Sequence, residues 1–138
     1  MQKKFVIGSL TLIVIISLIS FIRPFKIVKL NPDDIGKIKV FDGNTGKSTE
    51  ITDEADITHI INNLNSVVLK REKVSLFRVG YSLRMSIYLK DGTKANGWHE
   101  FIINTSDYVR KDPFFYKVIE GEIDEAYIQR LLDKEKVE

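Results

Sequence analysis

The chain has 138 residues, with 21 Lys and Arg against 19 Asp and Glu, no cysteine, and 43% apolar residues. The missing cysteines exclude a disulfide scaffold, thiolate metal sites, a thiol nucleophile and a lipidated cysteine. The near-neutral charge argues against a nucleic-acid partner. Once the N-terminal segment is set aside, about 105 residues remain, enough for one core that hides roughly 60–68% of its unfolded surface.

Residues 1–4 form a short head, and residues 5–22 follow without a charge or a proline. Ile, Leu, Val and Phe dominate there, interrupted by Gly8, Ser9, Thr11, Ser17 and Ser20. As a helix these 18 residues would be about 27 Å long, close to the thickness of bilayer hydrocarbon. This predicts a transmembrane signal-anchor helix with Lys3, Lys4 and Arg23 as its flanks, and the lipid bilayer as its partner. A cleaved signal peptide is the alternative, but Ser20-Phe21-Ile22-Arg23-Pro24 offers no small-x-small cleavage site. A buried globular helix fits poorly, because the segment is apolar all round. Basic residues on the two sides nearly balance, so the short head decides the orientation. It predicts a single-pass protein of the cell membrane with its C-terminal domain outside. A cytosol-facing membrane-bound regulator is the inverted alternative.

Residues 23–33 read as a juxtamembrane linker. Pro24 and Pro32 punctuate it, and Phe25, Ile27, Val28 and Leu30 alternate with Lys26 and Lys29. Arg23, Lys26 and Lys29 could form a basic collar on anionic headgroups, or 27–30 could be a first strand. Without Lys3, Lys4 and these three, 16 of the 21 basic residues remain against 19 acidic ones. The chain's positive excess belongs to its anchor.

Residues 34–133 carry the pattern of an α+β domain, with 134–138 as a charged tail. Ile38 and Val40 alternate with Lys37 and Lys39 in a strand, Asp42-Gly43-Asn44-Thr45-Gly46 turns the chain, and 47–51 returns. Thr52 or Asp53 then caps a helix whose stripe is Ile57, Ile60, Ile61 and Leu64. Residues 67–73 and 74–79 read as extended, 81–90 is a strand with Leu83, Met85, Ile87 and Leu89 on one face, and Asp91-Gly92 turns into another strand over 98–104. A strand at 114–119 follows Pro113. Asp124 caps a closing helix with Tyr127, Ile128, Leu131 and Leu132 on its buried side, and Ile123 and Ile128 are spaced as a hydrophobic staple. The order β-β-α-β-β-β-β-α predicts an antiparallel sheet with two helices packed on one face, behind the transmembrane helix.

The DGNTGK turn, ITDEADI leading a helix that ends in LN, GYSLRMSIYLKDG and the closing GEIDEAYIQRLL resemble small membrane-anchored extracytoplasmic domains of unknown function from Gram-positive bacteria. The resemblance covers most of residues 35–132. It implies a fold and an address outside the membrane, and carries no catalytic residue across.

Chemistry-bearing motifs are sparse. Asp42, Asn44 and Gly46 begin like a calcium loop, but Lys47 and Asp53 stand where an EF-hand needs Gly and Glu, so a turn is expected. His59 has Asp56 and Asn63 at i−3 and i+4, a weak metal geometry without a third ligand unless His99 folds nearby. No G-x-S-x-G elbow or phosphate-cradling glycine loop occurs, and Glu120 with Glu122, or Asp107 with Asp112, would need a cleft to act as a pair. No catalytic, metal or cofactor residue is therefore assigned. Lys70, Arg71, Lys73, Arg78 and Arg84, interleaved with Val68, Leu69, Phe77 and Tyr81, form a possible ligand-contact strip. In Phe114-Phe115-Tyr116, alternation sends Phe115 to one face and its neighbours to the other. The function expected is a membrane-tethered, non-catalytic extracytoplasmic interaction module whose partner is an envelope protein or an anionic wall or lipid component. A small envelope hydrolase or metal-dependent enzyme using His59 or His99 is the competing reading.

Overall fold

The computed structural model describes residues 2–76, 82–95 and 97–134, with side chains from Val6 onward. Helix α1 (Gln2–Ile22) leads into β1 (Phe25–Lys26) and a 3-10 turn at Pro32–Asp34. Then come β2 (Ile35–Asp42), β3 (Lys47–Ile51), α2 (Glu54–Ser66) and β4 (Val68–Val74). The chain ends with β5 (Leu83–Leu89), β6 (Glu100–Thr105), β7 (Tyr108–Lys111), β8 (Phe114–Glu120) and α3 (Glu125–Lys134). All pairings are antiparallel, in one sheet ordered β1-β4-β8-β7-β6-β5-β2-β3.

The expected architecture needs correction first at α1. Among the described residues no helix is long and apolar enough to cross a membrane, so the transmembrane helix is withdrawn. The second correction concerns the strands. Among the described residues two strands stand that the sequence pattern did not mark, β1, which is only two residues long, and β7, a four-residue strand in a tight hairpin, while of the expected extended stretch 74–79 residues 77–79 lie outside the described residues.

Residues 23–33 are built into the domain. Phe25 pairs with Leu69 and Lys26 with Val68, while Ile27 and Val28 are buried in the core. The Asn65 amide fastens this stretch to the end of α2: Leu30 N donates to Asn65 Oδ1 at 3.1 Å, and Asn65 Nδ2 donates to Leu30 O at 2.7 Å. That reciprocal pair imitates a strand bridge, leaving neither Leu30 backbone group unsatisfied. Gly36 sits where β2 shifts register. A Cβ there would lie 2.9 Å from Leu89 O and from Lys90 Cα, so only glycine allows this approach.

Local chemistry explains the other elements. Asp53 caps α2, accepting from Ala55 N and Asp56 N at 3.0 Å each, and Glu54 and Asp56 favour the positive end of the helix dipole. Ile57, Ile60, Ile61 and Leu64 are all buried against the sheet. In the β2–β3 turn Asp42 accepts from Asn44 N and Thr45 Oγ1, and Gly46 adopts φ 73°. Burial pushes the Asp42 carboxyl up, but the hydrogen bonds from Thr45 and Asn44 outweigh it and hold the group below its ordinary value.

The inner face carries Val40, Met85, Phe101, Ile103, Val109 and Tyr116 into one cluster with α2 and α3. Among the described residues no helix lies over the opposite face. Helix α1 meets the sheet at its C-terminal end, where Arg71 Nη1 donates to Phe21 O at 3.0 Å. The guanidinium lies 4.0 Å from the Phe21 ring centre and 4.5 Å from that of Phe114. A cation at a helix C-terminus suits both the orphan carbonyls and the dipole, and the flanking rings add cation–π attraction.

Candidate functional site

Alternation along each strand sends one set of side chains outward, and the register places them in rows. One row runs Arg84, Ile102, Arg110, Phe115 and Lys73 across β5, β6, β7, β8 and β4. Beside it Tyr108, Lys117 and Lys70 stand opposite one another on β7, β8 and β4. The face therefore interleaves cations with aromatic and aliphatic groups.

The members of this face differ in role. Arg110 is only 7% exposed, and its Nε lies 3.5 Å from Asp112 Oδ1, which also accepts from Ser75 Oγ at 2.6 Å. It acts as a strut beneath the face. Lys70 and Lys117 are both exposed and directly opposed across two strands, a like-charge pairing that costs stability unless an anion sits above it. Lys73 lies nearby, with Nζ 5.5 Å from the Phe115 ring centre and 5.9 Å from that of Tyr108. A hollow of about 270 Å³ opens among Lys73, Asn104, Thr105, Tyr108 and Phe115. The Asn104 Oδ1 atom is buried with no hydrogen-bond partner among the described residues. Glu72 shares this site, accepting from Tyr108 OH at 3.3 Å; three ammonium groups against that carboxylate, with two ring faces, can hold an anion and stack a flat or apolar group beside it.

The strip expected from sequence is thus divided. Lys70 and Lys73 share the outer face, and Arg84 stands on that face three strands beyond β8. Arg71 points inward and holds α1. Arg78 lies outside the described residues, as do the side chains of Lys3 and Lys4. Arg23 is exposed at the exit of α1. Lys117, Tyr108 and Arg110 were missed, because their membership depends on β7 and on strand register. Phe115 does face away from Phe114 and Tyr116, which pack toward the core.

The two histidines do not build a metal cluster: no group of three His, Asp or Glu suited to one ion occurs among the described residues. His59 instead joins the two helices. Its Nε2 lies 2.9 Å from Asp124 Oδ2, and its ring stacks on Tyr127 at 3.9 Å. Tyr127 OH donates to Asp56, and Asp124 also caps α3 by accepting from Tyr127 N. The His59 hydrogen bond holds the Asp124 carboxyl below its ordinary value, with burial opposing and the Tyr127 amide helping. A depressed carboxylate stabilises the fold above its unfolded pKa, and that contribution is lost as pH falls through the folded value. Acid should therefore erode the native chain below about pH 4, and Asp124→Asn should flatten part of that loss. Urea midpoints for both proteins between pH 6 and pH 2.5 check this; parallel pH profiles would refute it.

No family model, curated protein or solved structure matches this chain.

Proposed function

We propose that this chain is a non-catalytic interaction module, held at the outer side of a cell membrane by α1, whose outer sheet face receives a phosphate-bearing anionic polymer of the envelope. The observation that carries the reading is the opposed pair Lys70 and Lys117 with Lys73 beside Tyr108 and Phe115. Exposed cations set against their own repulsion gain most when an anion neutralises them. Support for lipid as the anchor's surroundings comes from α1, which exposes apolar side chains on every side and offers no polar face to water. Val74 and Leu76, each 56% exposed, continue that apolar surface a few residues beyond Arg71. On this reading α1 is an anchor that enters lipid.

Inorganic polyphosphate, titrated against the full chain in neutral detergent micelles, tests the face. Lys70→Gln with Lys117→Gln should weaken binding on the order of tenfold at low salt, and salt should weaken the unaltered protein more than the variant. An unchanged affinity in the double variant would remove the outer face from consideration.

A further inference from the structure

We propose that the cleft beside the exit of α1 is a binding site for the phosphate headgroup of an anionic membrane lipid. The inference rests on the reading that α1 lodges in lipid, and it assigns a lipid class to that contact.

The cleft is about 1150 Å³, much larger than the hollow on the outer face. It begins at Pro24, two residues after α1 ends, and lies between the segment that follows and the β5–β6 connection. Lys26, Lys29 and Lys90 line it with exposed side chains, and none makes an ion pair among the described residues. Two carboxylates share the wall. Asp91 is committed to its own turn, accepting from Thr93 N at 2.8 Å and Thr93 Oγ1 at 2.6 Å, while Asp34 stands exposed as the last residue of the 3-10 turn. The three ammonium groups therefore outnumber the carboxylates, and only one carboxylate is unengaged by its own turn. Phe25 and Trp98 supply the apolar wall, their ring centres 5.4 Å apart. Aromatic rings beside lysines, at the level where a lipid-embedded helix emerges, match the layered polarity of a headgroup region: glycerol and acyl roots against the rings, phosphate against the ammonium groups.

The chain's single tryptophan makes the cleft its own reporter. Trp98 packs on Tyr116 at 4.8 Å and lies under the Lys111 ammonium at 5.1 Å, so a headgroup seated against it changes its emission. The full chain is mixed with vesicles of phosphatidylcholine alone or with phosphatidylglycerol added, and sedimentation and Trp98 emission are both read. Sedimentation is expected with both compositions, and a Trp98 blue shift with phosphatidylglycerol only. In the triple variant Lys26→Gln, Lys29→Gln, Lys90→Gln, the preference for phosphatidylglycerol should fall roughly fivefold per lysine, and the shift should vanish. A triple variant of the outer face, Lys70→Gln, Lys73→Gln, Lys117→Gln, should keep the shift, which separates the cleft from general attraction. Sedimentation with an identical Trp98 spectrum on both vesicles overturns the headgroup site alone. So does a shift that survives in the cleft variant, or one that inorganic phosphate reproduces in full. Absence of sedimentation on either composition overturns the α1 reading and this site together.

Discussion

Arginine at both Leu12 and Val14 is expected to release the chain from vesicles while leaving its folded domain intact. The two side chains are 59% and 52% exposed and lie in the middle of α1, far along the helix from its contact with Arg71. In water, exchanging them for arginine removes unfavourable apolar exposure. In lipid, each guanidinium near the centre of an apolar helix costs about 2.5–3.5 kcal/mol on insertion scales. Two of them should shift the partition by several orders of magnitude in favour of water. The domain has no reason to respond, because its core is closed by residues 25–132. Sedimentation and a urea transition on the same samples read the two effects separately. If the double variant still sedimented like the unaltered chain, α1 would have to be covered by protein and not by lipid.

That prediction depends on a feature partly legible in the sequence. Composition alone identified an apolar, uncharged segment ending before Arg23, because those properties are local. Whether such a helix crosses a bilayer is not fixed by composition, and among the described residues no helix is long and apolar enough to do so, so there the expectation failed. The same division recurs in the domain. A cap at Thr52 or Asp53, the Ile57–Leu64 stripe, the Asp42 turn and the placement of Phe115 opposite Phe114 and Tyr116 all follow from periods of 3.6 or 2 and from turn chemistry, so they could be read directly. Strand β1 could not. Two residues carry no period, and their strand character comes from pairing with β4, more than 40 positions away. Strand β7 escaped for a related reason, since four residues between Asp107 and Asp112 look like a charged loop until β6 and β8 flank them.

The candidate site shows the limit more sharply. Nearness in sequence suggested that Lys70, Arg71 and Lys73 act together, yet consecutive residues of a strand point to opposite faces. The partners that complete the outer face, Lys117 and Tyr108, are separated from Lys70 by more than 35 residues and reach it through register alone. His59 is a similar case. Its i−3 and i+4 neighbours suggested a ligand set on one helix, whereas its partner is Asp124 at the start of another.

Phe101→Ala should produce the largest loss of stability, about 3–5 kcal/mol. Phe101 is 2% exposed, sits opposite Met85 on the inner face, and supports Trp98 from 6.0 Å. Truncation removes an aromatic ring from a close-packed interior, and the surrounding strands, fixed by hydrogen bonds on both sides of β6, can close the space only in part. Against a total of about 5–15 kcal/mol for a domain, that leaves little in reserve. With a urea slope of roughly 1–2 kcal/mol per molar, the midpoint should fall by about 1.5–5 M, and Trp98 emission should move to the red as its support is lost. Phe101→Leu fills most of the volume and should recover most of the midpoint. A shift under about 0.5 M in the alanine variant would mean that β6 is not the centre of the core. Vesicle sedimentation should survive in Phe101→Ala, since α1 exposes its apolar surface without help from the sheet. Loss of folding with retained lipid binding, set against the opposite pattern for arginine at Leu12 and Val14, would establish anchor and domain as two separable physical units joined at Arg71.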